Sequence, residues 1–279
     1  MSTPSSPRAR RSSSPQDRES SGPLSLHWWR TVLWLIPSIA VYTIVLGAAS
    51  ITSSLFDRRG YFAHRCARAW SWLILATTGV DVRIEGLERL TPGRTYVFVA
   101  NHQSIYDIPV LFWSLPFQLR IIAKESLGRF PVLGPHLKRT GHMLVDRRRP
   151  DRSGIFGWAN TLTSNGLSLI VFPEGTRSPD GYLGKFKGGG FSLAMQAGLP
   201  IAPISVVGSR HVMRKGELTT RPGRVTLVVH DPIETAAHPD LSRGEPGEPA
   251  TAAVRALAER VREVIRPAVE AEAALQSAP

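Results

Sequence analysis

A histidine and an aspartate five positions apart, in Asn101-His102-Gln103-Ser104-Ile105-Tyr106-Asp107, follow directly on the apolar run Tyr96–Ala100. At that spacing the Asp107 carboxylate can accept a hydrogen bond from one nitrogen of His102, which fixes the tautomer and leaves the other nitrogen free to take a proton. This is half of a triad, without its nucleophile. A second polar block, Phe172-Pro173-Glu174-Gly175-Thr176-Arg177-Ser178, also follows an apolar run and brings a carboxylate, a glycine turn and a guanidinium to one place. The fixed fork of Arg177 suits a phosphate, and Glu174 could orient that fork or a substrate hydroxyl. A third cluster, Gly141-His142-Met143-Leu144-Val145-Asp146-Arg147, ends on a basic residue that Arg148 and Arg149 extend as a charge run.

Side chains of this kind need a rigid frame, and from Val82 onward the sequence supplies short β-rich runs separated by turns and helix-length segments. Candidate strands are Tyr96–Ala100, Leu119–Ala123, His142–Val145, Leu167–Phe172, Ile201–Val207 and Val225–His230, several of them apolar on both faces as helix-covered strands must be. Ile105–Trp113, Ser153–Asn165, Phe191–Ala197 and the amphipathic Ala252–Ile265 read as helices. The expected fold class is α/β, a central mixed sheet flanked by helices, preceded by a membrane-embedded helical segment. Four regions follow: a disordered basic arm over 1–22, the membrane segment over 23–80, the α/β domain over 81–240, and a linker with a C-terminal helix over 241–279.

The membrane segment rests on the run Thr31–Phe56, which holds no charged residue and opens on an aromatic pair, Trp28 and Trp29. A single spanning helix competes with a two-helix device in one leaflet, because Pro37 could kink the run and a shorter apolar stretch, Ala69–Val80, would lie in or dip into the interface. A formal net charge of +12 implies an anionic partner: nucleic acid, an acidic membrane surface or a phosphorylated substrate. The single cysteine, Cys66, excludes an internal disulfide framework and a multi-cysteine zinc site. Neither a Gly-x-Ser-x-Gly elbow nor a His-Glu-x-x-His pair occurs, which argues against the common serine and zinc hydrolases.

From Val97 to Ile204 the order of blocks resembles the lysophosphatidic acid acyltransferase family of the glycerolipid acyltransferase superfamily. Asn101–Asp107 looks like the family's catalytic block, which implies His102 as general base and Asp107 as its orienting carboxylate. The run Ala123-Lys124-Glu125-Ser126-Leu127 with Gly141–Arg147 is similar to the second block, implying that Lys124 and Arg147 help to hold the acceptor phosphate. Phe172–Ser178 resembles the third, which makes Glu174, Gly175, Thr176 and Arg177 acceptor-binding residues. Leu199–Ile204 resembles the fourth, on the acyl-binding side. The sequence departs from the family at Phe186-Lys187-Gly188-Gly189-Gly190, where a second lysine is replaced by glycine.

The resemblance implies transfer of a fatty acyl group from acyl-coenzyme A or acyl carrier protein to the sn-2 hydroxyl of 1-acyl-glycerol-3-phosphate, giving phosphatidic acid for phospholipid biosynthesis. No cofactor and no metal are expected beyond the thioester co-substrate. Expected partners are the lysophospholipid acceptor, the acyl donor and membrane lipids, with acyl carrier protein as one of two donor carriers and no nucleic acid. The expected location is the cell membrane, with the site facing the cytoplasm. Other lysophospholipid or glycolipid acceptors stand as alternatives, and a basic nucleic-acid-binding membrane protein is the rival from a different class.

Overall fold

The computed structural model describes residues 25–57, 59–146, 164–235 and 251–277, together with 154, 157, 158 and 161. The amino-terminal arm, Arg147 to Arg149 and most of the expected helix Ser153–Asn165 lie outside the described residues. The apolar run forms one long helix, α1 (Leu26–Ser53), 6% of whose most apolar stretch is buried. Pro37 does not break it. Proline offers no N–H and crowds the carbonyl four residues back, and a widened π turn over Thr31–Leu35 accommodates both effects.

A short connection leads into α2 (Tyr61–Thr78), which packs along α1. Tyr42 and Thr77 share a hydrogen bond between their hydroxyls at 3.0 Å, and the Trp70 indole N–H donates to Thr43 Oγ1 at 3.0 Å. Of the stretch expected at the membrane interface, Ala69–Val80, the residues up to Thr78 form the second half of α2, and Ile74 and Leu75 are buried in the core of the α/β domain. Apolar length alone does not separate a membrane-facing helix from a core helix, and α2 presents both faces, with Trp72 exposed.

The domain is built on seven strands: β1 (Val80–Glu85), β2 (Val97–Ala100), β3 (Leu119–Lys124), β4 (Met143–Val145), β5 (Ser168–Val171), β6 (Ile201–Val207) and β7 (Gly223–Val229). Their order across the sheet is β1-β7-β6-β2-β5-β3-β4. The ladders from β6 through β2, β5 and β3 to β4 are parallel, while β7 runs antiparallel to β6 and carries β1 in parallel. The sheet is therefore mixed, as expected. Further helices are α3 (Asp107–Ser114), α4 (Leu133–Arg139), α5 (Gly189–Gln196), α6 (Ser209–Val212) and α7 (Thr251–Ser277).

Alternation along β2 sorts its side chains between two cores. Phe98 and Ala100 pack with Ile74, Leu75, Val110 and Leu111 of α2 and α3, whereas Val97 and Val99 pack with Phe191, Leu193, Leu257 and Val261 of α5 and α7. Helix α7 continues well past the expected end at Ile265, through Pro267. An internal proline costs a helix about 3 kcal/mol. The buried stripe Leu257, Val261, Ile265, Val269 and Ala273 offsets that cost by extending the same face beyond it.

The helical hairpin is pinned to the domain near both ends. At one end Thr31 and Thr220 share a 2.8 Å hydroxyl–hydroxyl bond and Arg30 donates to the carbonyls of Thr78 and Thr220. At the other, Ser50 bonds His136 Nδ1 at 2.7 Å, and buried Arg120 donates to the carbonyls of Arg59 and Gly60 in the connection between the helices. A Cβ on Gly47 would overlap Val132, so glycine permits this close approach.

Around Arg120 the structure gathers His64, His136 and His142. His142 takes up a structural position, its Nδ1 accepting from the Ile121 N–H at 3.2 Å. Burial, reinforced by the Arg120 cation, lowers the pKa of His136 to about 4 and that of His142 well below its ordinary value. Both are thus neutral when folded and take up protons when unfolded. Their contribution is complete above pH 6.5, the ordinary histidine value, and is lost as pH falls from 6.5 toward 4, at up to about 1.4 kcal/mol per pH unit for each ring. The thermal midpoint of the detergent-solubilised protein is expected to fall steadily from pH 6.5 to pH 5, and a His136→Gln variant should show a shallower dependence over that interval.

Candidate active site

The parallel ladders place the ends of β2, β3, β4 and β5 on one edge of the sheet, and the sequence blocks follow those ends directly. Register makes two of them level, since Val99 pairs with Val171. The chain then leaves β2 into His102 and β5 into Glu174 on adjacent strands, roughly 4.8 Å apart.

His102 is held at its backbone and its ring. Its N–H donates to Glu174 Oε1 at 2.8 Å, and its carbonyl accepts from the Ser178 N–H at 2.7 Å, so the third block grips the first from both sides. The ring stacks on Phe172 with centroids 4.2 Å apart. Nδ1 lies 2.8 Å from Asp107 Oδ2. That oxygen also accepts from the N–H groups of Gln103 at 2.8 Å and Ser104 at 3.0 Å, and Asp107 is completely buried at the start of α3. A carboxylate so placed makes Nδ1 the protonated nitrogen and leaves Nε2 as the basic one. Nε2 has no partner among the described residues, and the side chain retains 15% exposure.

The neighbours of His102 are equally constrained. Asn101 exchanges two hydrogen bonds with the backbone of Val206, at 2.8 and 2.7 Å, and so ties the end of β2 to β6. Gln103 donates to the Gly181 carbonyl and Ser104 to the Met213 carbonyl. Between these elements and the hairpin lies a cavity of about 200 Å³, lined by Leu46, Ala67, Trp70, Ile105, Ile108 and Leu133 among others.

Comparison with known proteins decides between the readings of this constellation. Residues 81–207 match the family model described as Acyltransferase. The chain carries an acyltransferase-family domain over those residues. Among its relatives, a chloroplastic 1-acyl-sn-glycerol-3-phosphate acyltransferase of Brassica napus is 37% identical, with 69% of this chain and 58% of that one covered. The alpha form of the enzyme from Mus musculus is 35% identical over 56% of each. The chain spans just over half the length of the curated relatives it matches. The crystal structure of the lysophosphatidic acid acyltransferase PlsC from Thermotoga maritima superposes with a TM-score of 0.70 at 27% identity, covering 89% of this chain and 96% of that one. The resemblance carried by the four blocks is borne out, as is the α/β class with its mixed sheet.

Within this acyltransferase fold the remaining expected site residues separate by what they touch. Glu174 was expected to bind the acceptor, but both of its carboxylate oxygens are committed to main chain, Oε1 to His102 and Oε2 to the Gly184 N–H at 3.0 Å. Only 8% exposed, it holds the loop that carries His102, and burial raises its pKa against the lowering effect of those two donors. Gly175 takes φ +70°, a conformation for which the turn requires glycine, and Lys187 Nζ lies beside it. Thr176 is exposed and Arg177 half-buried, with no partner for the guanidinium among the described residues. Lys124 ends β3, level with Asn101 and two strands away, exposed and unpaired among the described residues. Arg147 lies outside them.

Replacing one carboxylate oxygen of Glu174 by an amide opposes an N–H with an NH₂, leaving a buried donor unsatisfied. Glu174→Gln is expected to lower stability by about 1–3 kcal/mol. Chemical denaturation followed by tryptophan fluorescence measures that loss.

Proposed function

We propose that this chain transfers a fatty acyl group from a thioester, on coenzyme A or acyl carrier protein, to the sn-2 hydroxyl of 1-acyl-glycerol-3-phosphate, producing phosphatidic acid for phospholipid synthesis. The observation that carries the reading is the buried Asp107 carboxylate on His102 Nδ1, with Nε2 left open. Such an imidazole can accept the proton of the acceptor hydroxyl as its oxygen attacks the thioester carbonyl carbon. The new C–O bond forms, the C–S bond breaks, and the proton passes from Nε2 to the departing thiolate sulfur. Asp107 stays ionised throughout and stabilises the transient imidazolium.

Arg177 is assigned to the acceptor phosphate, with Lys124 and Arg147 as further cations. Gly175 and Thr176 shape the turn, and Glu174 positions His102. No metal or resident cofactor is assigned, since the thioester already supplies the activated acyl group. The support is the unpaired Arg177 guanidinium and the apolar cavity that begins at Ile105 and Ile108, three and six positions beyond His102. The relatives named above are acyltransferases acting on this acceptor by their names.

The exposed apolar side chains of α1, among them Leu33, Trp34, Val41, Ile44 and Val45, together with Trp72, Trp113 and Ile105, suit insertion into one leaflet of the cell membrane with the site toward the cytoplasm. Because Thr31 and Ser50 of α1 both bond the α/β domain, a spanning orientation would drag the domain's flank into the hydrocarbon.

Labelled acyl transfer to lysophosphatidic acid by detergent-solubilised protein tests the reaction. His102→Ala is expected to lose about 10² to 10⁴-fold in rate with an unchanged thermal midpoint, and Asp107→Asn to fall in the same range. Full activity in a folded His102→Ala variant removes His102 from this role. In a Cys66→Ala background, cysteines introduced at Leu26 and Phe56 should both react with an impermeant maleimide added to the cytoplasmic side, whereas a spanning helix would expose only one of them.

A further inference from the structure

The family match ends at residue 207, but the chain beyond it returns to the site. After α6 the segment Met213–Lys215 touches two of the sequence blocks at once. The Met213 carbonyl accepts from Ser104 Oγ at 2.7 Å, which fixes the segment against the loop of His102. Two residues on, Lys215 Nζ donates to Thr176 Oγ1 at 3.0 Å and to the Arg177 carbonyl at 2.9 Å. An exposed lysine ordinarily keeps its side-chain freedom, so a chain held at two acceptors on a single turn has been ordered by that turn.

The neighbouring cations are engaged elsewhere: Arg214 and Arg221 both approach Glu217, at 3.9 and 3.7 Å. Among the described residues no carboxylate pairs with Lys215. Its charge thus adds to that of Arg177, and an ammonium with three N–H groups, two of them spent on the turn, has one left for an anion. We infer that Lys215 is a positioning residue of the anion seat: it fastens the Thr176–Arg177 turn from outside the matched blocks and sets the Arg177 guanidinium for an incoming phosphate monoester. This rests on the proposed reading of Arg177 as the phosphate-binding residue.

The experiment compares the full chain with Lys215→Met and Lys215→Arg in detergent, measuring kcat and KM for lysophosphatidic acid and hydrogen exchange at the amides of residues 175–178. Lys215→Met is expected to raise KM about tenfold with kcat held within about twofold, because an interaction shared by ground and transition states is lost. Exchange in the turn should accelerate by a similar factor, and Lys215→Arg should restore both. An unchanged KM with unchanged exchange overturns the inference, as does a loss confined to kcat or an arginine variant as impaired as the methionine one. Should the unmodified protein transfer nothing to lysophosphatidic acid, the proposed reaction fails by itself. Exchange then decides the role of Lys215: acceleration in Lys215→Met with protection in Lys215→Arg upholds the fastening, and its absence ends it.

Discussion

Two buried carboxylates fasten one histidine, and the order of the site follows from them. Glu174 binds the His102 N–H from the end of the neighbouring strand, and Asp107 binds the imidazole from the first turn of the next helix. Neither charge could be buried alone, because an unpaired carboxylate in a protein interior would take up a proton instead. Each is kept by N–H donors, from His102 and Gly184 for Glu174 and from Gln103 and Ser104 for Asp107. These donors belong to the loops that the carboxylates hold in place, so loop geometry and charge burial stabilise each other. The ladder that sets Val99 opposite Val171 is what brings the two loops within reach.

A second set of polar contacts does comparable work for the helical hairpin. An apolar helix gains little by exchanging lipid for apolar protein, so contact area alone fixes neither its register nor its rotation. Arg30, Thr31 and Ser50 supply what area does not, each meeting a specific group on α2, α4 or the loop before β7. Arg120 secures the connection between the helices, and burial lowers its own pKa to about 10. The cost of burying that cation falls on its surroundings too, since His136 and His142 must stay neutral beside it.

Much of this was legible in the sequence because strand-to-turn transitions in an α/β fold reveal where side chains emerge. His102, Asp107 and the Glu174–Arg177 turn lie at such transitions and meet as their spacing implied. Strand β1 was missed: its alternation Val-Asp-Val-Arg-Ile-Glu begins one residue after α2, and the apolar helix ahead of it masked the change of period. Helix α7 was read as ending at Ile265, whereas a buried stripe carries it on through Pro267. The position of Lys215 was illegible in principle, since local pattern gives no sign that a loop 38 residues beyond Arg177 returns to it. For Glu174, spacing shows that it gathers with His102 but not that each of its carboxylate oxygens accepts a main-chain N–H.

On the proposed reading, one further step follows from where apolar surface is exposed and where it is recessed. Two acyl chains must be accommodated, one on the acceptor and one on the donor. The acceptor's chain can remain in the leaflet, which the exposed face of α1 and the nearby Trp113 and Ile105 would contact. The donor's chain arrives on a water-soluble carrier, and no lipid solvates it at the moment its thioester reaches His102. A half-open apolar cavity lined by Ile105 and Ile108 meets that need. Transfer would then carry the acyl group from an interior wall to a bilayer-facing glycerol, and product release would amount to its withdrawal from the cavity into the leaflet. The hairpin supplies Leu46, Ala67 and Trp70 to that cavity wall.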